Sequence, residues 1–158
     1  MKKLLIVVSL LAVATASSAA ADDHLVRFDG GIGVIPVSNV NAAGVGTANV
    51  VLGVPPGGQP WVIASLRADV RTDGRITVDG RGLLLAGSNG IATNGGQSVE
   101  ARLFCGAAQS DTGVVALEPN GDFRIDDVLT PAPPATCDKP VLLIVSAAGR
   151  WFAAGIPK

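Results

Sequence analysis

Apolar and polar positions alternate with period two along much of the chain after residue 21. That period sends alternate side chains to opposite faces of a strand. The clearest stretch is Trp61 to Ala86. Val62, Ala64, Leu66, Ala68 and Val70 fall on one face, and Arg67, Asp69 and Arg71 on the other. Thr72-Asp73-Gly74 then supplies a three-residue turn whose last member is free to take positive φ. Ile76 and Val78 resume the apolar face, while Arg75, Thr77, Asp79 and Arg81 resume the polar one. This register sets Val70 opposite Ile76, and Arg67 opposite Asp79 as an opposite-charge cross-strand pair. Continued outward, it sets Trp61 opposite Leu85 and Ile63 opposite Leu83. The side that is charged near the turn is therefore apolar at its far end. Either a bulge at Gly80–Gly82 swaps the faces or another segment covers this end.

The same grammar recurs twice. Val115 and Leu117 are expected opposite Ile125 and Phe123 across Pro119-Asn120-Gly121. Residues Val141 to Ser146 are expected to return as Arg150 to Ile156 across Ala147-Ala148-Gly149. Further candidate strands are Leu25–Asp29, Gly33–Val37, Asn49–Leu52 and Ser98–Cys105. Residues 54–60 hold three prolines and cannot form a central strand. Residues 87–97, rich in Gly, Asn and Ser, and 129–140, with four prolines, read as loops. No convincing helical period interrupts this pattern. It predicts an all-β fold, a single antiparallel β-sandwich of Ig-like or Greek-key-like type, with a partly open barrel as the alternative.

The first residues break the pattern. Met1-Lys2-Lys3 precedes an apolar run from Leu4 to Ala14, then small residues ending in Ala19-Ala20-Ala21. This has the three parts of a secretory signal peptide, with cleavage expected after Ala21. The run is short for a membrane span, which needs about 20 apolar residues. The domain organisation is thus a signal peptide over 1–21 and one β domain over 22–158, with no membrane span after processing. The short basic start points to a bacterial exported protein, periplasmic or extracellular.

Composition narrows the chemistry. The chain carries 12 Lys and Arg against 13 Asp and Glu, one His, no Tyr and two Cys. Loss of Lys2 and Lys3 with the signal leaves the mature chain mildly acidic. No single-sign basic patch with stacking aromatics is present, so nucleic acid is excluded as a partner. Two cysteines in an exported chain are expected to pair, Cys105 with Cys137, and their wide spacing separates them from C-x-x-C redox motifs.

Candidate catalytic constellations are weak. Ala86-Gly87-Ser88-Asn89-Gly90 lacks the first glycine of a nucleophile elbow, and no His follows Ser88. Asp111, Asp122, Asp126 and Asp127 suggest paired carboxylates, but Arg124 lies between Asp122 and Asp126 on their shared face, which reads as a solvated charged surface. No catalytic residue is assigned.

Two other features invite binding. The hairpin Val141–Ile156 is apolar on both faces, so loops such as 129–140 cover it, or Leu143, Val145, Trp151 and Phe152 form an exposed patch for self-association or a partner. Cleavage after Ala21 would place Asp22-Asp23-His24 at a free amino terminus. His in third position allows the α-amine, two amides and the imidazole to close a square plane around Cu(II) or Ni(II). The expected function is a non-enzymatic binding or structural protein of the envelope or secretome, with a protein or glycan partner. The alternatives are a small secreted hydrolase or carbohydrate-active domain using loop 87–97, and Cu(II) or Ni(II) binding at the mature terminus.

Overall fold

A computed structural model describes residues 23–158. The signal-like segment and Asp22 lie outside the described residues. These contain strands and no helix: β1 His24–Gly33, β2 Val37–Val40, β3 Gly46–Ala48, β4 Trp61–Val62, β5 Ser65–Arg71, β6 Arg75–Arg81, β7 Leu84–Leu85, β8 Ser98–Cys105, β9 Ala108–Asp111, β10 Val115–Ala116, β11 Phe123–Val128, β12 Pro140–Ser146 and β13 Trp151–Pro157. The all-β antiparallel expectation is met. The two-sheet sandwich is replaced by one nine-stranded path, β10-β8-β12-β13-β1-β5-β6-β11 with β9 also on β8, which curls into a half-barrel. β2–β3 and β4–β7 are separate two-stranded pieces.

Period-two patterning builds the inner face. Leu66 aligns with Gly80 and Phe123, and Ala68 with Val78 and Ile125, across β5, β6 and β11. On the other half, Ala101 and Leu103 of β8 align with Ile144 and Leu142 of β12. All of these apolar side chains are buried. Burying a side chain of the size of Leu or Ile contributes about 2 kcal/mol, so these rows supply much of the core. Gly80 is the small member of its row because the Phe123 ring occupies the place of its missing side chain.

The predicted register of the Gly74 hairpin is observed, with Val70 opposite Ile76 and Trp61 opposite Leu85. Around Gly149 the expected register holds at Val145 opposite Trp151, and a shift between Ile144 and Val145 then sets Leu143 opposite Ala154 instead of Ala153. The turn glycines Gly74, Gly121 and Gly149 have φ of 85°, 80° and 74°. Of the two alternatives for the far end, the faces do swap, but without the bulge considered at Gly80–Gly82. Leu66 and Val78 are buried on one side of it, and Trp61, Leu83 and Leu85 on the other. No residue is inserted, since Ser65 opposite Arg81 and Trp61 opposite Leu85 belong to one alignment. The change is a rotation at Gly82, whose φ is 62°.

The second hairpin is a correction. Its turn forms, with the Glu118 N–H donating to Asp122 O at 2.9 Å and the Gly121 N–H to Glu118 O at 2.8 Å. Its arms then diverge. β10 pairs with β8, and β11 pairs with β6. The turn therefore joins the two edges of the curled sheet, because each arm finds a longer partner than the other arm offers. Asn49–Leu52 is likewise not a strand: Val51 and Val54 exchange backbone hydrogen bonds around Leu52 and Gly53, both at positive φ.

The two sheet edges are tied further down. Asp111 and Thr130 exchange backbone hydrogen bonds of 3.0 and 2.9 Å. The Asp127 carboxylate accepts the Gly113 N–H at 2.7 Å and its neighbour's Val128 N–H at 2.8 Å. Those bonds, Gly113 first, hold its carboxyl below the usual carboxylate range, against a smaller opposing desolvation. A depressed carboxylate stabilises the fold above its unfolded pKa and loses that contribution as pH falls through its folded pKa. Asp127→Asn is expected to cost about 1 kcal/mol at neutral pH. It should also flatten the acid limb of the stability curve below about pH 4. Urea denaturation from pH 2 to 7 checks both, and an unchanged acid limb would count against this tie.

Cys105 and Cys137 form a disulfide. The bond secures a strap, residues 129–140. It runs from the β5–β6 turn, where the Leu129 N–H donates to Gly74 O at 2.9 Å, to the β8–β9 turn, where Asp138 O accepts from Gly106 at 3.0 Å.

Candidate functional site

At one end of the half-barrel three loop segments meet around a cleft of about 270 Å³: 58–61, 95–97 and 146–152. Each segment is shaped by local chemistry. The proline-rich stretch 54–60 cannot join a ladder as a central strand, and it lies along the start of β13 instead. The Trp151 N–H donates to Pro55 O at 3.0 Å, the Gly57 N–H to Trp151 O at 2.9 Å, and Trp151 Nε1 to Asn49 O at 2.8 Å. Val34 then links β13 to β4, its N–H reaching Phe152 O at 2.8 Å while its carbonyl accepts the Trp61 N–H at 2.9 Å. These bonds bring the Trp61 and Phe152 rings into a stack, with centroids 4.1 Å apart and planes within 15°.

The stacked pair forms the apolar part of the cleft together with Leu85, and each of the three is at least nine-tenths buried. Gln59, Gln97, Ser146 and Arg150 supply its polar groups. Arg150 is anchored, its guanidinium donating to Pro56 O at 3.3 Å and its backbone N–H to Ser146 Oγ at 3.2 Å. Gln97 is set by Nε2 donating to Gly95 O at 3.2 Å. No carboxylate, histidine or cysteine is among the residues lining the cleft. Its chemistry is apolar contact plus hydrogen bonding, with one cation.

The apolar C-terminal hairpin is covered by its own chain. Leu143 and Val145 are 0% exposed, Trp151 4% and Phe152 5%. They are core residues rather than an exposed patch. The segment lying on Trp151 is 49–57, where a strap such as 129–140 was expected. Phe152 nevertheless reaches a site, as part of the cleft floor. The period-two pattern could not show this, because a bulge between Ile144 and Val145 shifts the register with Trp151.

His24 begins β1, with Asp23 immediately before it. The Asp23 carbonyl accepts from the Thr72 N–H at 2.8 Å, and Asp23 pairs with Arg71 at 3.0 Å. His24 Nδ1 lies 2.6 Å from Asp69 Oδ1. A Cu(II) or Ni(II) site with Asp22 would have to take this ring from Asp69 and release the strand end. Asp22 itself falls outside the described residues.

The carboxylates considered for catalysis do not converge. Asp122 accepts the Gly82 N–H at 3.0 Å and pairs with Arg81 at 3.1 Å. The Gly82 bond leads the Arg81 pairing in holding its carboxyl below the usual range. Asp111 pairs with Arg102 at 2.6 Å, and Asp126 is exposed on β11. Arg102 also meets Glu100 at 3.1 Å, whose carboxyl is pushed up mainly by burial. Ser88 is exposed in its loop at φ 62°.

A larger groove of about 430 Å³ lies on the charged face of β1, β5 and β6. Its charges pair with one another: Arg27 with Asp69 at 3.2 Å, Arg67 with Asp29 at 3.4 Å and Arg124 with Asp79 at 3.8 Å. Arg67 does stand opposite Asp79 as expected, but its guanidinium turns to Asp29, while Asp79 is taken by Arg81 at 2.9 Å. Interleaved signs cancel the field there, so the smaller aromatic cleft is the better candidate. Comparison with known protein families, curated proteins and solved structures finds no match.

Proposed function

We propose that this is an exported, non-enzymatic binding protein of the envelope or secretome, with the segment before Asp22 as its export signal. The Cys105–Cys137 bond is consistent with an oxidising compartment, periplasmic or extracellular. One observation carries the binding reading. The cleft joins a buried aromatic stack to amide, hydroxyl and guanidinium groups and has no carboxylate in its lining. That combination suits a neutral, polar ligand with an apolar face, and a sugar ring of a glycan has both. The volume admits about one such ring, near the lower bound of small-ligand pockets. Acid–base hydrolysis needs two tuned groups on one substrate, which this lining does not supply.

Saturation-transfer NMR with a panel of neutral oligosaccharides tests the reading. At least one member is expected to bind, and Gln97→Ala and Arg150→Ala should each weaken it about tenfold, the loss of one or two hydrogen bonds. A panel without any binder, or binding indifferent to both substitutions, would overturn the proposal. Cleavage of a sugar in the same samples would favour the hydrolase alternative.

A further inference from the structure

Asp29 and Arg67 are the charged residues that bound an uncharged stretch, and none of the residues between them is Asp, Glu, Lys or Arg. In its middle, β2 and β3 pair with each other and with no strand of the main sheet. Every residue of both strands is exposed. Ile35, Val37, Val40, Val45, Val50 and Leu52 are 41–66% exposed. The hairpin is nonetheless well built. Asn41 Oδ1 accepts the N–H groups of Ala43 at 3.0 Å and Val45 at 2.9 Å, which shapes the tip. Asn49 fastens the base, its side chain donating to Ile35 O at 3.0 Å and its backbone N–H to Pro36 O at 2.9 Å.

We infer that this arm is a self-association element: β2 of one copy pairs antiparallel, edge to edge, with β2 of a second copy across a two-fold axis. A two-stranded hairpin alone is marginal in water, and three or more strands are needed for independent stability. Edge strands are ordinarily guarded by charge, by lysine, by an internal proline or by a bulge; Val37–Val40 carries no charge or proline, and its one register shift against β3 lies between Val37 and Asn39. An antiparallel edge is self-complementary about a two-fold, as an isologous contact requires. Ile32 and Val62 are exposed as well, at 58% and 51%, and extended exposed apolar surface marks an association site. Because the arm is uncharged, two copies bring no like charges together there, and a strongly charged partner finds no complement.

Sedimentation velocity on the disulfide-intact protein over a concentration series tests this. Wild type is expected to show a reversible dimer. Val40→Lys and Val45→Lys, each at an exposed position, should each weaken it at least about tenfold with unchanged thermal unfolding. A Ser38→Cys variant should form a disulfide-linked dimer in mild oxidant, because Ser38 lies within the paired edge. A strictly monomeric wild type would overturn the inference, and so would a dimer that persists unchanged in both lysine variants. Neither result bears on the cleft, which is formed by other segments.

Discussion

Replacing Gly33 with alanine is expected to destabilise the protein by about 3 kcal/mol, at the upper end for overpacking, and to loosen the cleft with it. At the end of β1 a Cβ would overlap the Trp61 carbonyl oxygen and stand 2.7 Å from Val62 Cα and 2.8 Å from the Trp61 carbonyl carbon. These are backbone atoms, so no rotamer change relieves the contact. The strand that carries them is held to Val34, the next residue, by the 2.9 Å bond from the Trp61 N–H. Alanine must therefore push β4 away from β1, and the Trp61–Phe152 stack moves with it. Urea denaturation measures the loss, and near-UV circular dichroism reports the stack. Gly58→Ala is the control, because a Cβ there meets nothing within 4 Å, and an open surface site should change stability by less than about 0.5 kcal/mol. Equal stability of the two variants would refute this account of the β1–β4 contact.

Removing the disulfide should have an effect of similar size. Cys105 and Cys137 are separated by 32 positions, and closing a loop of that length stabilises by about 3–4 kcal/mol in the chain-entropy model. The Cys105→Ser, Cys137→Ser double variant is expected to lose that amount in denaturant titrations, and wild type to match it under strong reductant. The strap should respond first. It is held at the two ends of 129–140 by single backbone bonds to Gly74 and Gly106 and by the Asp111–Thr130 pair. Hydrogen exchange should accelerate most at Thr130 and Gly106. A loss well under about 1 kcal/mol would show that those bonds alone keep the strap in place.

Much of the fold is legible in the residues because strand alternation is local. Leu66-Arg67-Ala68-Asp69-Val70 declares its two faces without reference to any distant segment, and the limits of β8, Ser98–Cys105, coincide with those of the alternating run. A glycine at the end of each three-residue turn was equally readable, since only a positive-φ position demands it. The arm β2–β3 was not anticipated as a hairpin. Its alternation is broken by Asn, Ala and Gly, and its strands bury nothing that would impose a period. The cleft was invisible for another reason. Gln59, Gln97 and Arg150 are ordinary residues in three separate turns, and only curling of the sheet brings them together.

The amino-acid pattern alone thus determined strand content, the hairpin register around Gly74, the turn at Gly149 and the cysteine pairing. Each depends on near neighbours or on a single choice of partner. Tertiary structure decided which strands meet when they are far apart in sequence. It sent β10 to β8 and β11 to β6, parting the hairpin that local turn chemistry proposed. It bent one sheet into a half-barrel where two stacked sheets had the same alternation. It also buried Leu143, Val145 and Trp151, since a strand apolar on both faces states only that something covers it. Which segment does so follows from the path of the whole chain.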